Sequence, residues 1–171
     1  MVLTPTTRQR MEAYARFALD LAARAARGAL DEAGVVAERV THLVTVSCSG
    51  FDAPGVDIRL IEALGLSRGV ERTHVGFMGC HGSLNGLRAA RAYCGAHPEA
   101  VVLLCAVELC SLHFQYSQEA DQQVANSLFA DGAAALVGTA AGTPLAATRP
   151  QAWQAIGSGS FVLPDSLDAM T

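Results

Sequence analysis

Two spacings of apolar residues alternate along the chain. After Thr6, which with Gln9 has the spacing of a capping box, Met11, Tyr14, Ala15, Ala18, Leu21, Ala22, Ala25 and Ala29 recur at helical intervals up to Gly34. That pattern predicts one long amphipathic helix closed by a glycine. His42 to Cys48 (HLVTVSC) is instead a β-branched apolar run stopped by Ser49-Gly50, the signature of a strand. Beyond the Pro54-Gly55 turn, Ile58, Ile61 and Leu64 predict a short helix. Thr73 to Phe77 reads as a second strand, followed by a helix carrying Leu84, Leu87, Ala90 and Cys94 that stops near Gly95 and His97-Pro98. Val101 to Val107 (VVLLCAV) is continuously apolar, which predicts a strand covered on both faces, as in a parallel sheet between helices. A polar helix over roughly 120–128 follows, then a turn at Asp131-Gly132 into a strand over 133–137. After a Thr/Ala/Gly/Pro linker, Trp153 to Leu163 reads as a last strand. The alternation predicts an α/β architecture with layered helices.

Composition narrows the class. A chain of 171 residues that is 51% hydrophobic can bury a real core, so one packed domain is expected and disorder is not. The net charge is only −4 and the arginines are scattered along helical stretches, which removes the electrostatic footprint of a nucleic-acid binder. A small neutral or acyl-type ligand fits better. The N-terminus MVLTPTTRQR has no apolar core of a leader, and no apolar stretch approaches the roughly 20 residues that span a bilayer. A soluble, cytoplasmic protein that binds neither membrane nor nucleic acid is the expectation.

The five cysteines, Cys48, Cys80, Cys94, Cys105 and Cys110, form an odd set without a C-x-x-C pair, so free thiols are expected. None of the Cys and His spacings matches a zinc template, so no metal site is expected; Cys105 and Cys110 would face opposite sides of one strand. Cys80, in HVGFMGCHGSLNGL, differs from the rest because it falls between a strand end and a helix start. Orphan amides and the positive end of a helix dipole would favour its thiolate and lower its pKa. Gly79 and Gly82 allow a sharp turn and keep the sulfur uncrowded. A nucleophile on a strand-to-helix elbow also occurs in the G-x-nucleophile-x-G pattern of certain hydrolases, but position 78 is Met, which weakens that alternative. Local chemistry leaves Cys80 open between a nucleophile and a packing thiol, since free cysteines are among the most buried residues.

Three segments carry further information: VSCSGFDAPGVDIRL (46–60), ERTHVGFMGCHGSLNGLRAARAY (71–93) and VVLLCAVELCSLHFQ…NSLFADGAAALVG (101–138). In order and spacing they resemble the type III polyketide synthases, the chalcone-synthase-like enzymes of the thiolase superfamily, and most closely the bacterial members. The resemblance covers nearly the whole chain. It implies a thiolase-like layered fold, a homodimer, an acyltransferase activity with no cofactor, and acyl-CoA and malonyl-CoA as substrates. It makes Cys80 the acyl-carrying nucleophile. Phe129, in NSLFADG, falls where the family places a phenylalanine between the CoA tunnel and the cavity. Cys48, Ser49, Cys110 and His113 fall on cavity-shaping positions, with ordinary core packing the alternative for each. Ala53 stands where plant members have a bulkier Met that reaches across the dimer, so the resemblance leaves that wall of the partner's cavity open.

The resemblance also implies what residues 1–171 lack: the family's first strand, ahead of the long helix, and the whole C-terminal half with its catalytic His and Asn. Condensation by this chain alone is therefore not expected. His81 reads as a helix-start residue and His113 as a lining residue, poor substitutes for the missing pair. Other condensing enzymes of the same fold, ketoacyl synthase III and hydroxymethylglutaryl-CoA synthase, are the alternatives, against which SGFDAPGVD and VELCSLHFQ argue; a non-catalytic remnant is the third reading. Asp131-Gly132 is taken as a structural turn, and Gly157-Ser158-Gly159 is too short a glycine pattern for a phosphate loop.

Overall fold

The computed structural model describes residues 5–149 and 151–166. The first helix, α1 (Thr7–Ala33), starts with the Thr6–Gln9 capping box and ends on Gly34 at φ 63°, where a left-handed backbone closes the last turn. Strand β1 (His42–Ser47) follows, then α2 (Val56–Leu64), β2 (Glu71–Gly76), α3 (Gly82–Ala96), β3 (Val101–Leu109), α4 (Ala120–Leu128), β4 (Asp131–Thr139) and a single turn α5 (Pro144–Ala147). The strands form one sheet in the order β2-β1-β3-β4; β1 is parallel to both β2 and β3, and β4 is antiparallel to β3. The sheet is mostly parallel and lies between helices, as the continuous apolar run VVLLCAV predicts. No helix among the described residues is long and apolar enough to cross a membrane.

Strand β3 separates two cores. On one face Leu43, Leu103, Cys105 and Val107 pack with Tyr14, Ala18, Ala22, Ala26 and Leu30 of α1 and with Val56 and Leu60 of α2. On the other face Val44, Val102 and Leu104 pack with Ala90 of α3 and with Ala100. Small side chains let both helices come close. The Cys105 thiol reaches the Ala22 carbonyl oxygen of α1 at 3.5 Å. A Cβ on Gly86 of α3 would lie 2.7 Å from Leu104 Cδ1 and 2.9 Å from Val46 Cγ2.

Several expectations are corrected. The buried positions of α3 are Gly82, Gly86 and Ala90, whereas Leu84 and Leu87 face outward; the helix approaches the sheet too closely for leucine in the contact. In α2 the buried line is Val56, Asp57 and Leu60, with Ile58, Ile61 and Leu64 only partly covered. Strand β2 ends at Gly76 because Phe77 turns to φ 56°. Asp131-Gly132 is not a turn but the start of β4, where Asp131 pairs with Leu109 while its carboxylate accepts bonds from the Ser111 amide (2.8 Å) and hydroxyl (2.7 Å). Residues 153–163 do not form a strand. No neighbouring strand pairs with them among the described residues; Arg88 and Arg91 of α3 instead hold the carbonyls of Gly159, Ala155 and Ile156. Side-chain pattern proposes a strand, but only a partner ladder satisfies its backbone.

Two glycines test this packing in opposite directions. A Cβ on Gly50 would fall 2.3 Å from the Tyr14 ring, whereas one on Gly28, exposed in the middle of α1, meets nothing within 4 Å. Gly50→Ala is expected to lower the unfolding free energy by about 3 kcal/mol through overpacking. Gly28→Ala is expected to raise it by roughly 0.5–1 kcal/mol through helix propensity. Urea titrations of the two variants check both signs, and an unchanged midpoint for Gly50→Ala would contradict the packing of Tyr14.

Candidate active site

Parallel strands joined by helices bring their C-terminal ends to one edge of the sheet, which is where sites on such sheets form. Here that edge receives Cys48 and Ser49 after β1, the segment 77–81 after β2 and the segment 110–113 after β3. Cys80 sits in a 3-10 turn, Gly79–His81, that runs directly into α3. Two left-handed residues, Phe77 and Gly79 (φ 56° and 60°), reverse the chain just before it. The result is an exposed thiol presented on a helix start, whereas Cys48, Cys94 and Cys110 are half-buried and Cys105 is buried.

Beneath this turn lies the end of β1. The Cys48 thiol donates to the Gly79 carbonyl oxygen at 3.6 Å, and a Cβ on Gly82 would sit 3.9 Å from that sulfur and 2.9 Å from Val46 Cγ1. The turn that presents Cys80 therefore rests directly on Cys48 and Val46, and only glycine fits at 82. The end of β3 and the segment after it hold the neighbouring Ser49. Leu109 N donates to Ser49 Oγ at 2.7 Å, and His113 Nε2 donates to the Ser49 carbonyl oxygen at 2.5 Å. Burial first, then the Glu108 and Asp131 carboxylates and the Cys80 thiol, push the Cys110 thiol up from its usual range.

Of the residues singled out from the sequence, Cys48 touches the turn that carries Cys80, Ser49 and His113 bond to one another at the same sheet edge, and Cys110 follows directly on the end of β3. Phe129 is not tied into this network. It ends α4, 53% exposed, with its amide on the Ala125 carbonyl. His81 stands at the start of α3 without a side-chain capping bond; its Nδ1 lies 3.1 Å from the Asn85 side-chain amide, which Arg88 in turn holds at 2.9 Å. His113 donates its Nε2 proton to a main-chain carbonyl, so that nitrogen is engaged in holding a loop.

Sequence reasoning missed Glu108. Its carboxylate accepts the Cys48 amide at 2.8 and 3.1 Å and the Ser49 amide at 2.8 Å. Hydrogen bonds to a charged group contribute about 1.5–3 kcal/mol each, so this clamp ties the end of β1 firmly to the end of β3. The available signal was a lone acid at the end of an otherwise apolar strand.

A cavity of about 490 Å³ lies on the α1–α2 side of this edge, lined by Tyr14, Ser47, Phe51, Asp52, Ala53 and His74 among others. Cys80 does not line it. Tyr14 donates its hydroxyl proton to Ser47 Oγ there at 2.7 Å, and burial pushes the Tyr14 phenol up. Phe77, on the wall, pairs with Phe51 at 6.3 Å between ring centroids.

Residues 1–141 match a family model described as the N-terminal domain of chalcone and stilbene synthases. The chain is 39% identical over 132 residues to an alpha-pyrone synthesis polyketide synthase-like protein of Mycobacterium tuberculosis, covering 77% of this chain and 34% of that protein. It is 34% identical over 164 residues to a 3,5-dihydroxyphenylacetyl-CoA synthase of Streptomyces toyocaensis, covering 94% of this chain and 41% of the relative. Among solved structures it is similar to 1,3,6,8-tetrahydroxynaphthalene synthase from Streptomyces coelicolor, a bacterial type III polyketide synthase, with a TM-score of 0.75 and 30% identity over 81% of this chain and 40% of that one. The chain thus spans between a third and about two fifths of the length of these relatives.

The five thiols are chemically distinct, and alkylation reads the difference. Burial pushes the Cys105 thiol up to about 12 and also raises those of Cys94 and Cys110. A thiol with a raised pKa holds little thiolate at neutral pH and gains reactivity only as pH rises towards that value. Iodoacetamide at pH 7.5 is therefore expected to modify Cys80 first and Cys105 last. Peptide mapping that finds Cys94 or Cys105 labelled ahead of Cys80 in folded protein would contradict this order.

Proposed function

The chain belongs to the chalcone and stilbene synthases, in their N-terminal domain, and on that premise we propose that it is the acyl-carrying part of a type III polyketide synthase in which Cys80 is the nucleophile. The observation that carries this reading is the exposed thiol of Cys80 on a turn that opens α3, with the Cys48 thiol bonded to that turn at Gly79. In this reading the Cys80 thiolate attacks the carbonyl carbon of a starter acyl-CoA, and the CoA thiolate leaves as the acyl-enzyme thioester forms. Malonyl-CoA then loses carbon dioxide, and its carbanion attacks that thioester. A carbon–carbon bond forms, the Cys80 thiolate is released, and the chain, longer by two carbons, is carried on CoA for the next cycle. Splitting the condensation through a covalent thioester replaces one difficult step with two easier ones.

The enolate formed on decarboxylation needs hydrogen-bond donors, each of which contributes about 100-fold to 1000-fold in rate at comparable sites. Each of the two histidines has one ring nitrogen already engaged, His81 Nδ1 with Asn85 and His113 Nε2 with the Ser49 carbonyl. The family's His and Asn, carried by its C-terminal half, are proposed as the donors. Cys48, Ser49, Cys110 and His113 are proposed to shape the acyl cavity, and Phe129 to orient the malonyl group where CoA enters. Association with a second copy is part of the same proposal, supported by Phe51, Phe77 and Met78, which stand exposed beside the Cys80 turn.

The test is acyl loading of the intact protein, followed by mass spectrometry after mixing with hexanoyl-CoA. Cys80→Ala is expected to abolish loading, and His81→Ala to leave it within about threefold of the parent, since a donor used in the transition state costs at least about 100-fold when removed. With malonyl-CoA added, products extended by more than one unit, such as pyrones or resorcinols, support the polyketide reading. A single condensation product would assign the chain to a relative of different chemistry, and equal loss of loading in both variants would place His81 in the reaction.

A further inference from the structure

We infer that Glu108 is a positioning residue for the Cys80 site, acting through the main-chain amides of Cys48 and Ser49. The inference rests on the reading of Cys80 as the acyl-carrying nucleophile. Along β3, Val107 and Leu109 are buried in the α1 core, so Glu108 between them belongs to the opposite, α3-facing side of the sheet, the side on which the Cys80 turn rests. A half-buried carboxylate is costly unless its charge is met. Among the described residues the ion pairs are Arg59–Asp52, Arg72–Asp57 and His42–Glu71, so no cation partners Glu108. Its charge is met by the Cys48 and Ser49 amides, one of which reaches both oxygens.

That arrangement fixes two successive residues at the end of β1 against the end of β3. The consequence passes upward through Cys48, whose sulfur is bonded to the Gly79 carbonyl and lies under Gly82. Gly79 and Gly82 bracket Cys80, so the clamp sets the floor on which the nucleophile is presented. Both Glu108 oxygens face main-chain amides, which separates this positioning role from contact with a reacting group. A reacting atom displaced by about an ångström can lose up to about 100-fold in rate, so a floor this close to the nucleophile matters.

Glu108→Gln keeps one acceptor oxygen and the shape; Glu108→Ala removes the clamp. Two measurements on the intact protein decide the matter: loading of Cys80 from hexanoyl-CoA, and the iodoacetamide labelling of Cys48 relative to Cys80. In Glu108→Ala the maximal loading rate is expected to fall about 10-fold with the half-saturating acyl-CoA concentration little changed, a loss of positioning rather than of binding. Cys48, freed from Gly79, is expected to label faster relative to Cys80. Glu108→Gln is expected to fall between the parent and Glu108→Ala, and it decides the question if the alanine variant does not fold. A lower melting temperature with loading and labelling unchanged would overturn the inference and leave Glu108 a purely structural acid. If the parent protein fails to load at Cys80, the reading of Cys80 itself fails; the labelling ratio then decides the clamp alone, an unchanged ratio overturning it and a raised one upholding it.

Discussion

The burial of β3 on both faces is the constraint from which the rest of this structure follows. Val102 and Leu103 are fully shielded from water on opposite sides of the same strand. Burying a side chain of that size contributes about 1.5–3 kcal/mol, and it requires a helical layer on each side. Layers on both sides are built by crossover helices, and crossovers make neighbouring strands parallel. Parallel strands end at the same edge. Cys48, the turn of Cys80 and the segment 110–113 converge there as a consequence of topology, although 32 residues separate the first from the second in the sequence.

Convergence at the scale of an edge is not yet a site; the final approach is set by residue size. Alanines 18, 22 and 26 bring α1 onto the sheet, and Gly82, Gly86 and Ala90 bring α3 onto the other face. Larger residues would hold α3 away by the width of a side chain and lift Cys80 off Cys48. Both Leu84 and Leu87 are turned outward by the same geometry, and Val124, Leu128 and Phe129 at the end of α4 are exposed as well.

Within the edge, charge and burial divide the labour among chemically similar groups. Five thiols share one chain, yet burial pushes up those of Cys94, Cys105 and Cys110, and Cys80 alone is exposed. The Glu108 and Asp131 carboxylates both bear on Cys110, and both also hold loop amides, at residues 48–49 and 111. The same pair of acids therefore orders the loops and adds to the burial that raises the Cys110 thiol.

The order of helices and strands, the Thr6–Gln9 cap, the Gly34 stop and the doubly buried β3 were all legible in the sequence, because each rests on local pattern: hydrophobic period, a capping pair, a run without polar residues. Motif resemblance singled out Cys48, Ser49, Cys80, Cys110 and His113, but nothing local said that the ends of β1, β2 and β3, which carry them, share one edge of the sheet. Tertiary structure alone decided the rest. Glu108 carries no motif of its own, and its meaning lies in amides 60 residues away. Asp131 reads as a turn residue until Leu109 pairs with it. The pattern of residues 153–163 suits a strand but finds no ladder, and α3 buries glycine in preference to leucine because the sheet leaves it no room. Sequence patterns report what a segment favours by itself; a close approach, a shared carboxylate and a strand's partner exist only between segments distant in the chain, and only the packed fold sets them.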